Sequence, residues 1–383
     1  MHLRNKIAFF LLVSLSLLSI HRLSGQDPNR EIADDYQRSK SRRDFRIPDI
    51  PGYKTLTGDF HMHTVFSDGA VWPTTRVEEA WREGLDVIAI TDHIEARLKK
   101  KHVGGDLNAA YEIARASADK YNIILVHGAE ITRKMPPGHF NALFINDANK
   151  LTNDDPMLQI EEAINQDAFV LWNHPGWASQ QPDTTLWWDF HTEIYEKGWL
   201  HGIEVFNSSE WYPIVLHWCM DKDLTVFANT DIHSPLDQKF DLSDPYSHRP
   251  LTLVFCNERS EEGVREALFE GRTLGWFGNT LVGKEALISK LFEASVSASF
   301  SHIATNRRGE RRYHYKLNNP SDLTFFLKSK DDKGQGHRIE LLPGSEANVE
   351  FGDAMDAIGV ELMNCYSDSN THPVVNIHIP DGN

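Results

Sequence analysis

The sequence predicts an α/β protein: a closed or nearly closed barrel of βα units, followed by a small antiparallel β-domain of sandwich type. From residue 57 onward, short apolar runs alternate with helical patterns, which is typical of βα units with a parallel sheet. The number of these units favours a barrel over an open sheet. Near residue 280 the alternation stops, and β-type runs separated by turn residues follow.

Eight strands and six helices are predicted for the barrel. The strands are expected at residues 57–61, 87–91, 123–128, 140–145, 168–173, 203–207, 225–228 and 251–256. The helices are expected at residues 74–83, 108–120, 156–166, 187–197, 211–221 and 261–271. In the β-domain, strands are expected at residues 295–303, 323–327, 338–342 and 374–379.

The 383 residues divide into four predicted segments. Residues 1–25 resemble a secretory signal peptide, because Arg4 and Lys6 precede an apolar run of only 14 residues and Gly25 ends a plausible cleavage site. An uncleaved anchor is the alternative. Residues 26–52 form a polar lead-in, residues 53–283 the barrel and residues 284–383 the β-rich domain. We therefore expect a periplasmic or secreted protein with no membrane span after signal cleavage.

Composition and charge narrow the function classes. Hydrophobic residues make up 40% and charged residues 25% of the chain, which is ordinary for a folded protein. The net charge of −16 does not suit binding to a nucleic-acid polymer or an anionic membrane. A small phosphate substrate stays compatible, because bound cations reverse the field locally. The three cysteines Cys219, Cys256 and Cys365 are too widely spaced for a disulfide scaffold or a zinc ribbon.

Nine candidate metal ligands follow or lie near predicted strand ends. His61 and His63 are two residues apart, as are Asp231 and His233, so each pair projects to one side of an extended segment. The other candidates are Asp68, His93, Glu130, His139 and His174. Because the C-terminal ends of barrel strands converge, these residues predict a metal centre. Imidazole and carboxylate ligands suit divalent Zn, Mn or Fe, and nine ligands with one bridging carboxylate suit two to three ions.

The motifs HMHTVFSDGA, ITDH, GAEIT, NHPGW and TDIHSP resemble, in this order, those of the polymerase and histidinol phosphatase (PHP) family. The resemblance covers about residues 55–283. It implies a distorted (β/α)7 barrel with a di- or trinuclear centre that hydrolyses phosphoesters. Carried over position by position, it implies three ligand sets: His61, His63, Glu130 and Asp231; Glu130, His139 and His174; and Asp68, His93 and His233.

The resemblance implies hydrolysis of a small-molecule phosphoester by a hydroxide that bridges two ions. Asp231 and His233 are expected to be catalytic, and Arg133 to grip a phosphate oxygen, with a surface salt bridge as its alternative. Because the motif loops offer few further cations, a phosphodiester or both mono- and diesters are favoured. Glu204 and Asn207 are candidates to support the ligands, whereas Trp172 and Trp177 are candidates to line a cleft.

Two other functions stay open: a metal-dependent hydrolase of a non-phosphate bond, and a non-catalytic secreted binding protein built on the same barrel. The second would be expected to have lost ligands, yet all nine positions carry competent residues. The export signal disfavours the polymerase branch of the family. The sequence leaves open the physiological substrate, the metal, the acid for the leaving group and the oligomeric state.

Overall fold

The computed structural model describes residues 41–242, 244, 247–330 and 336–380. The predicted signal peptide and the lead-in up to residue 40 lie outside this range. Within the described part of the chain, no helix has the length and apolar character needed to cross a membrane.

The first part of the chain forms one curled mixed sheet with helices around it. Its strands are β1 (Lys54–Asp59), β2 (Val87–Ile90), β3 (Ile124–Thr132), β4 (His139–Leu143), β5 (Phe169–Trp172), β6 (Gly202–Asn207), β7 (Glu210–Trp211), β8 (Thr225–Asn229), β9 (Leu251–Cys256), β10 (Thr273–Phe277) and β11 (Thr280–Gly283). Its helices are α1 (Pro73–Arg82), α2 (Ala109–Tyr121), α3 (Pro156–Asn165), α4 (Asp189–Glu196), α5 (Pro213–Lys222) and α6 (Glu261–Phe269).

The sheet curls until its parallel strands enclose a barrel. β1, β2 and β3 pair in parallel, and so do β5, β6 and β8. Just beyond β1 and β8, Met62 and Ile232 form a parallel bridge. The N–H of His63 donates to the carbonyl of Ile232 at 3.1 Å, and that of Asp231 to the carbonyl of His61 at 2.9 Å. The C-terminal ends of six strands therefore meet around one opening, and the predicted fold class is confirmed.

The sheet is less regular than the alternation predicts. β4 runs antiparallel to both β3 and β5, because residues 133–138 leave no room for the crossover of about a dozen residues that a parallel strand needs. β9 pairs antiparallel with β1, and β10 and β11 extend the sheet further. The all-parallel arrangement expected from the βα pattern is thus wrong at these strands.

The C-terminal part begins with a helix that was not predicted, α7 (Glu285–Ser295), and continues with strands. They are β12 (Ser297–Thr305), β13 (Arg311–Asn319), β14 (Phe325–Lys330), β15 (Gly336–Leu341), β16 (Ser345–Phe351), β17 (Ala357–Leu362), β18 (Cys365–Tyr366) and β19 (Val374–His378). Two antiparallel sheets result, ordered β12-β13-β16 and β15-β14-β17-β19. This agrees with the small antiparallel domain expected from the sequence.

One strand of this part returns to the barrel. β18 pairs in parallel with β11, with Leu281 opposite Cys365 and Val282 opposite Tyr366. Next to it, the buried side chain of Asn364 accepts from the N–H of Phe326 at 2.8 Å and donates to the carbonyl of Asn279. The C-terminal sheets are therefore joined to the barrel through the backbone as well as through apolar packing.

The pattern of buried residues differs between the parallel strands of the barrel and the antiparallel strands of the C-terminal part. Every residue of β2 is buried, as expected for a parallel strand that is covered on both faces. In β13, Tyr315 and Leu317 are buried while Lys316 between them is exposed. This alternation is typical of an antiparallel sheet with one face in water. The tightly packed barrel strands provide the rigid frame that positions the side chains at their ends.

Candidate metal centre

A cavity of about 680 Å³ lies at the C-terminal ends of the parallel strands. Its floor is formed by six of the nine predicted ligands: Asp68, His93, His139, His174, Asp231 and His233. The other three, His61, His63 and Glu130, are completely buried and lie within 4 Å of residues of the floor. The structure therefore brings all nine predicted ligands together.

Glu130, near the end of β3, is at the centre of the cluster. Its Oε1 lies within 4 Å of a nitrogen of His61, His139 and His174 (3.6, 2.9 and 3.8 Å). Its Oε2 lies 3.7 Å from Nε2 of His63 and contacts Nδ1 of His93. A carboxylate with imidazoles on both sides has the placement of a bridging ligand.

The remaining acids face other imidazoles of the set. Oδ1 of Asp231 lies 3.0 Å from Nε2 of His63 and 3.3 Å from Nε2 of His61. Oδ1 of Asp68 lies 3.1 Å from Nε2 of His233 and 3.4 Å from Nε2 of His93. Three groups have donor atoms within 4.8 Å of one another: His61, His63 and Asp231; His61, Glu130 and His174; and His63, Asp68, His93 and His233.

These groups resemble the ligand sets implied by the sequence but do not coincide with them. Glu130 is absent from the group of His61, His63 and Asp231, and His61 also lies with Glu130 and His174. His63, which the sequence assigns to the first set, also lies beside the third group. His139 belongs to none of the three groups, although its Nδ1 is 2.9 Å from Glu130. The sequence predicts a strand that begins only at residue 140, whereas the structure places His139 at the start of β4.

Several buried polar atoms of the cluster make no hydrogen bond with the described residues. They are Nε2 of His61, both ring nitrogens of His63, Nδ1 of His139, Oε2 of Glu130 and Oδ1 of Asp68. Leaving such groups unpaired costs about 1–3 kcal/mol each, a cost that coordination to divalent ions would remove. The chemistry of the donor set fits Zn, Mn or Fe.

The backbone is unusual at two candidate ligands. His174 has φ of 29° and Asp231 has φ of 52°, a region that non-glycine residues rarely adopt. Hydrogen bonds hold both in place, since the N–H of His174 donates to Oε2 of Glu204 at 2.8 Å and that of Asp231 to the carbonyl of His61. Such strained positions cluster at functional sites.

The loop that carries Asp68 is held by Asp92. The carboxylate of Asp92 accepts from the N–H of Thr64 at 2.7 Å and from the hydroxyls of Thr64 and Ser67 at 2.5 Å. The loop also packs closely, because a Cβ at Gly69 would lie 2.7 Å from the backbone of the preceding turn. From the sequence, the ITDH motif predicts a role only for His93, so the role of Asp92 is visible only in the structure.

Glu204 does not line the cavity, but it orients candidate ligands through hydrogen bonds. Its Oε1 accepts from Nδ1 of His61 at 2.8 Å and from the amide of Asn229 at 2.9 Å. Its Oε2 accepts from the amide of Asn207 at 2.8 Å. A carboxylate that fixes the tautomer of a ligating histidine is a recurrent feature of metal sites. The sequence suggested this supporting role for Glu204 and Asn207, but it did not single out Asn229.

Arg76 is a further residue that the sequence did not single out. Its completely buried guanidinium donates to the carbonyls of His63, Ile232 and Ser234 at 2.8, 3.0 and 2.9 Å. It therefore ties the end of β1 to the end of β8. On the amphipathic pattern of α1 alone, an arginine is expected to face solvent, so no sequence signal reveals this role.

The charges of the cluster shift the pKa values of its members. Burial opposes ionisation of Asp231, but His61 and His63 hold its pKa below the usual value. Burial also opposes ionisation of Glu130, and His93 and His139 lower its pKa well below the usual value. The carboxylates are thus ionised at neutral pH and are competent ligands.

The pKa values of the candidate histidine ligands are lowered in one case and raised in another. Burial, together with the charges of His93 and His233, lowers the pKa of His63 well below its usual value. Burial also disfavours the charged form of His93, yet Glu130 and Asp68 raise its pKa to about 10. Protons on such histidines occupy the positions that metal ions would take, so metal binding should release protons.

Three further residues are predicted from the sequence to lie at the site: Arg133, Trp172 and Trp177. Only one of them lines the cavity. Nε and Nη2 of Arg133 donate to Oε1 of Gln159 at 2.9 and 2.6 Å, and Nη2 lies 3.1 Å from Glu95. Arg133 does not line the cavity, so this geometry favours the salt-bridge alternative. Trp172 is completely buried and stacks on His191 at 3.6 Å. Only Trp177 of this pair lines the cavity.

Comparison with known proteins gives one extensive similarity. The chain is 41% identical to a two-domain protein from Bacteroides vulgatus whose crystal structure contains a predicted PHP-like metal-dependent phosphoesterase. The match covers 89% of this chain and 100% of that chain, with a TM-score of 0.82. An uncharacterized protein of Methanocaldococcus jannaschii is 28% identical over 193 residues, which are 47% of this chain and 82% of that protein. No family model matches the chain.

Proposed function

The chain belongs to the PHP-like metal-dependent phosphoesterases, and from this membership we propose an extracytoplasmic enzyme that hydrolyses small phosphodiesters, or both mono- and diesters. It is a metal-dependent phosphoric ester hydrolase, and we propose that it uses two to three transition-metal ions. The observation that carries the proposal is the convergence of the nine candidate ligands, Glu130 among them, with buried donor atoms that lack hydrogen-bond partners among the described residues.

There are three proposed ligand sets, of which the first two share Glu130. They are His61, His63, Glu130 and Asp231; Glu130, His139 and His174; and Asp68, His93 and His233. When bound, ions at these sets would lower the pKa of a water nucleophile and neutralise charge on the phosphoryl oxygens. A centre of this kind requires that the ligands be held before substrate arrives, which is the role of Glu204 and Asp92.

His233 and Asp231 are proposed to be catalytic because of where they lie. The side chain of His233 is 36% exposed, more than that of any other candidate ligand, and Asp231 is 21% exposed. Nδ1 of His233 lies 2.8 Å from the carbonyl of Asp231, which fixes the ring and directs Nε2 toward Asp68 and the cavity. These two side chains are therefore available to a bound phosphoester.

The cavity walls support a substrate with a modest charge at the phosphoryl group. Among the described residues that line the cavity, Lys239 is the only lysine or arginine. A dianionic monoester is best bound by several fixed cations, whereas a diester carries one charge. Trp177, 39% exposed, lies 5.3 Å from His174 between ring centroids. It offers an aromatic surface to the ester substituent.

The proposal is tested by measuring kcat/KM for p-nitrophenyl phosphate and for matched methyl and phenyl p-nitrophenyl diesters, with elemental analysis of the same protein. We expect turnover of the diesters and two to three ions per chain. A preference for the monoester of more than about 100-fold, or about 2.7 kcal/mol, would overturn the diester assignment. One ion or none after reconstitution would overturn the multinuclear centre.

The proposed location has its own test. N-terminal sequencing of protein recovered from the periplasm or the medium should show that the chain begins near Gln26. Recovery of the whole chain from the cytoplasmic fraction would contradict export and would leave the assignment as a phosphoesterase unchanged.

A further inference from the structure

A short basic loop directly follows Ala96, a residue that lines the cavity, and lies outside the metal centre. Residues 97–102 read RLKKKH and contain four basic residues, a histidine and no acid. The whole chain has 39 lysines and arginines against 55 acids. The loop therefore carries a charge of the opposite sign to that of the whole chain, and it begins four residues after the candidate ligand His93.

Two of its residues fasten the loop to the metal centre. Ala96, just before the loop, lines the cavity. Nζ of Lys99 donates to the carbonyl of Asp68 at 2.9 Å and to that of Gly69. Nε of Arg97 donates to the carbonyl of Phe66 at 3.4 Å. Since Asp68 forms part of the cavity floor, these bonds hold the loop beside the opening.

The next two residues leave their charges in solvent. Lys100 and Lys101 are exposed, and within the described ranges neither side chain forms an ion pair or a hydrogen bond. Some exposed lysines elsewhere are paired, such as Lys54 with Asp49 at 2.6 Å and Lys316 with Glu346 at 2.9 Å, whereas Lys100 and Lys101 are adjacent and lie beside the basic Arg97 and Lys99. Unpaired cations at the mouth of a cleft raise the local concentration of anions.

We propose that this basic loop binds a second anionic group of the substrate, a carboxylate or phosphate carried beyond the scissile ester. The inference rests on the proposed function, because it assumes that a phosphoester occupies the cavity. The cavity volume of about 680 Å³ is large enough for a whole small molecule. The part of the substrate between the scissile ester and the second anionic group can therefore extend from the floor to the rim. The net charge of −16 disfavours a long anionic polymer as the occupant.

Calorimetry with inert phosphonates tests this without turnover. The metal-loaded protein is titrated with propylphosphonate and with phosphonates that carry a carboxylate on an arm of two to six carbons. For at least one arm length, we expect the phosphonate that carries a carboxylate to have a Kd lower than that of propylphosphonate, by up to about fivefold. This advantage should shrink between about 20 and about 300 mM salt, because exposed charges are screened.

Two double variants test whether the basic loop causes the lower Kd of the carboxylate-bearing phosphonate. In Lys100→Gln/Lys101→Gln, the ratio of the two Kd values should approach one. The control Lys120→Gln/Lys290→Gln removes the same charge at exposed positions on α2 and α7 and should keep the wild-type ratio. An unchanged ratio in the loop variant, or no carboxylate advantage in the wild type, would overturn the proposal.

Two further outcomes separate this inference from the proposed function. Loss of heparin binding in the loop variant with no change in the phosphonate ratio would assign the loop to an anionic polymer and overturn the proposal. If the phosphonates behave as expected but no phosphoester is hydrolysed, the proposed function fails while the anion site stands. If the esters are hydrolysed but the loop variant leaves the Kd ratio unchanged, the proposed function stands and the anion site fails.

Discussion

Oε1 of Glu204 lies 2.8 Å from Nδ1 of His61, and both side chains are completely buried. The same carboxylate accepts from the N–H of His174 through its other oxygen. One residue that lines neither the floor nor the walls of the cavity therefore orients two candidate ligands.

Glu204→Gln should lower metal affinity by about 10- to 100-fold, because the amide supports the His61 tautomer less well than a carboxylate does. Competition with a fluorescent chelator measures this. Glu193→Gln, at an exposed position that pairs with Lys197, is the matched control and should bind metal as the wild type does. An affinity within twofold of the wild type would show that Glu204 has no positioning role.

Asp231→Asn and His63→Ala should each reduce kcat/KM by at least about a thousandfold, or about 4 kcal/mol, because each removes a ligand of the first set. Both variants should remain folded, since the site lies at the barrel mouth and the core is untouched. Steady-state kinetics with thermal unfolding followed by circular dichroism checks both statements. Activity near the wild-type value in either variant would contradict the assignment of the first ion.

His191 should make the protein less stable in mild acid. Burial lowers the pKa of this histidine from 6.5 to about 4, so below pH 6.5 the unfolded chain binds a proton that the folded chain excludes. Stability is unaffected above pH 6.5 and is lost progressively as the pH falls toward 4. By linkage, the loss at pH 5 is about 2 kcal/mol.

Urea unfolding at pH 7.5 and pH 5 measures this effect as a difference between proteins. In His191→Gln, the fall in unfolding free energy between the two pH values should be smaller than in the wild type by that amount. The exposed His102→Gln is the control and should keep the wild-type pH dependence. Equal falls in all three proteins would rule out the contribution of His191.

Asn364→Ala should lower the unfolding free energy by about 2–4 kcal/mol, because several buried groups lose their partner. The side chain donates to the carbonyl of Thr324 at 2.8 Å and accepts from the N–H of Phe326 at 2.8 Å. Denaturant unfolding should still show one transition, because β18 joins the barrel sheet. Asn376→Ala, at an exposed position of β19, should change stability by less than about 0.5 kcal/mol. Two separate transitions would contradict the joint unfolding of barrel and C-terminal sheets.

The sequence by itself determined the elements of the barrel and the composition of the candidate site. The strand predicted at residues 251–256 has the same bounds as β9, and α3 begins at Pro156 as predicted. Local apolar periodicity and turn residues set such bounds, so they are visible without tertiary structure. The spacing of His61 and His63 at a strand end is equally local, and it points both rings to one side.

Only the tertiary structure decided which distant residues meet. Arg133 follows a candidate ligand by three residues, yet its guanidinium bonds to Gln159 on α3. Trp172 and Trp177 look alike in the sequence, but one is buried against His191 and the other lines the cavity. Side-chain partners depend on packing between elements that are far apart in the chain, and no local pattern encodes that packing. For the same reason, the roles of Arg76 and Asp92 and the return of β18 to the barrel became visible only in the folded protein.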